Sequence, residues 1–139
     1  MARIKLSEYG YTPFQRLLGH NEMVMEKWRQ LGIVLEQDGL LPKDLKEQVR
    51  RTMAQVNGCE YCKGKGKPEP ASFNEKTSIA VGFAEVFLKQ KGNISNSIFD
   101  LLRESFSDEE ISELSAFIAF TTASQSFGAM LQLEASNED

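Results

Sequence analysis

The chain has 139 residues but only one histidine, His20, one tryptophan, Trp28, and two cysteines, Cys59 and Cys62. One thiol pair and a histidine remote in sequence fall short of the four ligands of a structural zinc site unless subunits share the metal. Two cysteines are also too few for the disulfide framework of a small secreted domain. Long hydrophobic runs are missing: stretches such as Ala116–Phe120 are far below the roughly eighteen residues needed to span a bilayer. Residues 1–11 alternate Ile4 and Leu6 with Arg3, Lys5 and Ser7 and offer no continuous apolar segment for export, so a cytoplasmic location is expected. Basic charge is not in excess either. Sixteen Lys and Arg against twenty Asp and Glu leave a net charge of −4, which supplies no extended footprint for nucleic acid or an anionic membrane.

What is present is the balance of a globular protein, with 41% hydrophobic and 26% charged residues in 15.6 kDa. This predicts a single domain over residues 1–139, with residues 1–11 as an N-terminal arm. Apolar residues recur at three and four positions from Thr12 onward, which predicts an all-α fold of about six to seven helices. Thr12 before Pro13 starts a short helix to about Leu18. Asn21 caps a second, whose stripe of Val24, Trp28, Leu31 and Leu35 faces the core, with Gly39 closing it in a left-handed conformation. Pro42 opens a third bearing Leu45, Val49, Met53 and Val56, and Asn57-Gly58 stops it. Ser72 and Glu75 have capping-box spacing for a helix through Ile79, Phe83 and Phe87. Ser95 caps a helix with Ile98, Leu101 and Leu102. Ser107 and Glu110 form a second capping box, opening a last helix that runs toward residue 130. Its small polar stretch at Thr121, Thr122, Ser124 and Ser126 suits close packing, either inside the subunit or between subunits.

Cys59 and Cys62 lie one helical turn apart, so both sulfurs reach the same side and can form a disulfide. A helix beginning at Cys59 would stabilise a thiolate through its free N–H groups. Lys63, Lys65 and Lys67 add cations that would lower a thiol pKa on close approach. A redox-active pair competes with a metal site, a structural disulfide and inert buried thiols. His20, just before the Asn21 cap, fits a capping or packing role as well as a catalytic one. The run Lys43, Asp44, Lys46, Glu47, Arg50 and Arg51 is by default a solvated helix face, with Glu47 pairing Arg51 at i,i+4.

Leu41-Pro42, Glu47, Val49-Arg50, Asn57-Gly58-Cys59-Glu60-Tyr61-Cys62, and Phe106-Ser107-Asp108-Glu109-Glu110-Ile111 with Leu114 resemble the carboxymuconolactone decarboxylase and alkyl hydroperoxidase D superfamily. The similarity spans roughly Thr12 to Leu133. It implies an all-helical bundle assembled as a homo-oligomer, trimeric or hexameric, that needs no cofactor or metal. The implied activity is reduction of a small hydroperoxide or disulfide, with re-reduction by a dithiol carrier of lipoyl or thioredoxin-like type. Carried over by position, Cys62 attacks the peroxide, Cys59 closes the disulfide and Glu47 relays protons. Members that lack the cysteines include lactone decarboxylases, so the pair argues against that chemistry.

The chain departs from the pattern at Gly66, where the peroxidases place a histidine, and at Tyr61, where some members carry another. If the third helix and the cysteine segment form an antiparallel hairpin about Gly58, Glu47 lies about 15 Å from the turn and Cys62 about 6 Å. A histidine one turn beyond Cys62 would fill the gap, whereas glycine carries no proton and weakens the helix. Lys63 and Lys65 could then stabilise the thiolate, leaving water or Tyr61 to handle protons. The alternative is a family scaffold that binds a small ligand or partner without catalysis, or senses redox state.

Overall fold

Two capping boxes fix the first and last helices. Thr12 accepts the Gln15 N–H at 3.1 Å while the Gln15 side chain returns to the Thr12 N–H, and Ser107 and Glu110 repeat the exchange. The computed structural model describes residues 1–135. Its helices are α1 (Pro13–Leu18), α2 (Glu22–Glu36), α3 (Lys43–Ala54), α4 (Glu60–Lys63), α5 (Glu75–Gln90), α6 (Asn96–Arg103) and α7 (Asp108–Met130). A 3-10 turn covers Pro70–Ser72, and the described residues contain no strand.

Helix α3 is the centre of the bundle. Its Leu45, Val49 and Met53 are buried against α5 and α7, beside Ala80, Phe83, Leu114 and Phe117. Each such large side chain contributes about 1.5–3 kcal/mol through removal from water. A second apolar cluster gathers Leu17, Tyr61, Leu133 and both cysteines. Residues 1–11 form no helix, and Ala2 and Leu6 pack against this second cluster.

Several local expectations are corrected. Asn74, not Ser72, caps α5: its side chain accepts the Thr77 N–H at 2.8 Å, while Ser72 belongs to the preceding 3-10 turn. Helix α2 ends at Glu36, and Gly39 is not left-handed. The glycine instead gives room to the Glu113 carboxylate, since a Cβ there would stand 2.7 Å from its Oε1. Helix α2 buries less of its predicted stripe than expected, since Leu35 is buried but Val24 and Leu31 remain 44% and 49% exposed. Val56 is also exposed, beyond the end of α3. Lys46 is not solvated: it is 1% exposed, donates to the Gln37 carbonyl at 2.9 Å and pairs with Glu113 at 3.2 Å. In the small polar stretch of α7, Thr121 is buried, Thr122 and Ser124 are half-buried and Ser126 is exposed, with Gln125 buried among them.

Candidate redox site

The turn between α3 and α4 delivers the cysteines to α7. Asn57 donates to Gln125 Oε1 at 2.8 Å, and Gln125 donates to the Arg50 carbonyl at 3.1 Å, tying the end of α3 to α7. Gly58 then reverses the chain at φ +76°, a conformation that glycine adopts without a Cβ penalty. Cys59 becomes the N-cap of α4, its sulfur accepting the Cys62 N–H at 3.2 Å. The two cysteines are joined as a disulfide, with their Cα atoms 5.2 Å apart. Behind them lies Gly128, where a Cβ would stand 2.5 Å from Cys59 Sγ and 3.6 Å from Cys62 Sγ. The bond therefore occupies space that any other residue on this face of α7 would fill. Leu133 closes the other side, its carbonyl accepting the Tyr61 N–H at 3.3 Å.

In front of the pair is a cavity of about 430 Å³ between α1, α2, α3 and α7. Cys62 lines it and Cys59 does not. The apolar wall is aromatic: Phe14, Trp28, Phe120 and Tyr61. Phe14 stacks on Tyr61 at a centroid distance of 6.2 Å, and Trp28 is oriented by its indole N–H donating to Ser124 Oγ at 3.1 Å. Gly32 on α2 leaves room for the Phe120 ring, which would lie 3.4 Å from a Cβ there.

The polar wall is organised by α3. Arg50 donates through Nε and Nη2 to the two oxygens of Glu47, at 2.6 and 3.0 Å, and through Nη1 to the Cys62 carbonyl at 3.0 Å. Arg51 Nε donates to Glu47 Oε2 at 3.0 Å. Burial pushes the Glu47 carboxyl upward, but the hydrogen bonds and charges of Arg50 and Arg51 outweigh it and hold the pKa below the ordinary range. Thus one guanidinium spans the space between Glu47 and the cysteine turn. It supplies positive charge but, as arginine, no transferable proton.

Position 66 differs from the expected extension of the cysteine helix. Helix α4 is a single turn ending at Lys63, and Gly66 lies beyond it at φ +129° with the Arg51 guanidinium against it. A side chain there would meet strained backbone and, within 3.2 Å of its Cβ, Arg51 Nε. Lys65 lines the cavity with its Nζ 4.7 Å from the Tyr61 ring centroid. Lys63 is exposed and off the cavity wall, and the Lys67 carbonyl accepts from Arg51 at 3.3 Å. His20 is exposed and pairs through Nε2 with the Lys5 carbonyl at 2.5 Å, off the cavity wall.

Glu36, at the end of α2, shares the wall with Cys62 although nothing in its sequence neighbourhood marks it. By surface area the residue is exposed, but its carboxyl end sits in the cavity mouth, where partial desolvation raises the pKa, opposed by the charges of Arg50 and Lys65 and reinforced by Glu47. The link from Arg50 to the cysteine turn and the place of Gly128 are likewise invisible in the sequence. Arg50 has the spacing of a surface pair, and Gly128 looks like one more small residue in a helix. Among the described residues no three His, Cys, Asp or Glu side chains gather as metal ligands, and no helix is long and apolar enough to cross a membrane.

No family model and no curated protein matches the sequence. Among solved structures, an uncharacterized peroxidase-related protein from Silicibacter sp. TM1040 has the same fold, with a TM-score of 0.79 over 89% of this chain and 76% of the other. The two sequences are 15% identical.

Proposed function

We propose that this chain is a thiol-dependent peroxidase that reduces small organic hydroperoxides, a member of the carboxymuconolactone decarboxylase and alkyl hydroperoxidase D superfamily. The observation that carries the reading is the asymmetry of the disulfide: Cys62 lines the cavity beside Arg50, while Cys59 is buried behind it at 1% exposure. That arrangement suits an attacking thiol in front and a resolving thiol behind. The Cys62 thiolate attacks the terminal peroxide oxygen, giving a sulfenic acid and an alkoxide that takes up a proton to become the alcohol. The Cys59 thiol then displaces water from the sulfenic acid and forms the disulfide. A dithiol carrier, lipoyl or thioredoxin-like, reduces that bond and leaves as its own disulfide. Arg50 is the cation placed to favour the thiolate, with Lys65 on the same wall. The Silicibacter protein's peroxidase-related description supports this assignment, and the exposed apolar residues of α2 support assembly as a homo-oligomer.

The test is loss of both free thiols in the reduced protein within seconds of adding stoichiometric tert-butyl hydroperoxide, with one alcohol formed per disulfide. Thiols that persist at millimolar peroxide overturn the reading. A second reading, a non-catalytic scaffold or redox sensor, is favoured by the occupation of both Glu47 oxygens by arginine donors, which takes that carboxylate out of proton transfer. It predicts slow oxidation without turnover when a dithiol is supplied.

A further inference from the structure

Peroxide cleavage needs a proton for the departing alkoxide, and the usual carriers are absent or engaged at this site. His20 is off the cavity wall. Glu47 accepts three guanidinium N–H bonds, and its lowered pKa keeps it ionised at neutral pH. Lys46 reaches the wall but is committed to Glu113 and the Gln37 carbonyl. Lys65 and Tyr61 share the wall with Cys62, the Lys65 ammonium lying over the Tyr61 ring, and the second carboxyl there is Glu36, delivered from the opposite side by the last turn of α2.

We infer that Glu36 is the general acid of the site, protonating the alkoxide as the Cys62 thiolate breaks the O–O bond. The inference rests on the peroxidase reading above. The balance is simple. Thiolate, hydroperoxide and protonated Glu36 become sulfenic acid, alcohol and ionised Glu36. Two electrons leave the sulfur, and the proton returns to Glu36 from solvent, which receives it when the carrier dithiol is oxidised.

The surroundings fit the role. Arg50 and Glu47 face the group from α3, with Lys43 and Lys46 on the same wall, Lys65 from the segment after α4 and Arg29 on α2 itself. The cavity residues contributed by α1 and α7 are uncharged. Burial of the carboxyl outweighs the cations Arg50 and Lys65, and the neighbouring Glu47 charge acts with it, so the proton is held to higher pH than on an ordinary glutamate. A raised carboxyl pKa is a shift in the direction that general-acid catalysis favours. Two carboxyls of one cavity are thereby driven apart in acidity, the division of labour expected of a charge-holding group and a proton donor.

The experiment compares reduced wild-type protein with Glu36→Gln and Glu36→Asp in single-turnover oxidation by tert-butyl hydroperoxide across pH. Iodoacetamide alkylation of Cys62 is measured alongside, because iodide leaves without a proton. The wild-type peroxide rate rises as the thiol ionises and falls at higher pH as Glu36 loses its proton. Glu36→Gln should lose that alkaline fall and react with peroxide about a hundredfold more slowly, with alkylation unchanged, while Glu36→Asp keeps the fall. Peroxide rates and pH profiles that match wild type overturn the inference, as does equal slowing of peroxide oxidation and alkylation. A wild-type protein that alkylates but is inert to peroxide overturns the peroxidase reading with it. Reactive wild type with an unaltered Gln variant removes Glu36 alone.

Discussion

Lys46 and Glu47 are neighbours on α3, and each belongs to a cluster of carboxylate and cation, but the two clusters have different work. Lys46 turns inward, 1% exposed, and with Glu113 fastens α3 to α7. The Glu113 carboxylate also accepts the Leu40 and Leu41 N–H groups, at 3.2 and 2.9 Å, so the loop before α3 hangs from the same point. Glu47 turns to the cavity, keeps a half-open side chain and binds Arg50 and Arg51, which continue to the cysteine turn and the segment around Gly66. Similar ion pairs one residue apart therefore serve the fold on one side and the site on the other. What separates them is what the far end touches: backbone in the first case, the redox turn in the second.

The two clusters are most easily told apart at Glu113. Glu113→Ala leaves a buried ammonium without its counter-ion and two N–H groups without an acceptor, and should cost about 3 kcal/mol in urea unfolding. The folded fraction should keep its thiol reactivity. A loss of reactivity at unchanged stability would mean that the inner cluster also serves the site. Gly128→Ala comes next, because there packing and redox chemistry share one space. The methyl group would overlap Cys59 Sγ, so the oxidised protein should lose about 2 kcal/mol and the reduced one less, as melting with and without reductant would show. Equal losses would place the strain in α7 itself.

Arg50→Gln should shift the pH midpoint of Cys62 alkylation upward by about one pH unit. The global melt should move little, since the Arg50–Glu47 pair is only partly buried. The smallest effect is in acid. Glu47 and Glu113 both have lowered carboxyl pKa values in the fold, Glu113 because Leu41, Lys46 and Leu40 outweigh its burial. Their contribution is complete above the ordinary glutamate value of about 4.3 and is lost as pH falls through the lower folded values. Glu113→Gln should flatten the acid side of a plot of melting temperature against pH more than Glu47→Gln. The reverse order would exchange the roles of the two clusters.

Local signals carried the sequence further than composition did. Thr12-Pro13, Asn21 and the Ser107–Glu110 box start helices where the structure does, because caps act within one turn of chain. The cysteine turn was legible for the same reason, since Gly58 and the two sulfurs lie within five residues. Ser72 misled because Asn74, two residues on, competes for the same start. The remaining misses are tertiary. Lys46 has the pattern of a solvated lysine until Glu113 arrives from another helix, and Gly39 shows its purpose only against that same carboxylate. Val24 and Leu31 follow the stripe of a core helix, yet α2 lies at the surface with that part of the stripe uncovered. For Glu36 and Gly128, the defining neighbours are brought by other elements, and no spacing rule reaches them.

Helix α4 is bracketed by Gly58 and Gly66, the two places nearby where the backbone has positive φ. Mechanically it is a short crank between two swivels. Its fastenings include the disulfide, Arg50 on the Cys62 carbonyl, the Leu133 carbonyl on the Tyr61 N–H, and Phe14 stacked on Tyr61. Reduction undoes only the first. The crank gains freedom at the sulfurs while its backbone stays pinned at both sides, so the change of electron count is kept within one turn of chain.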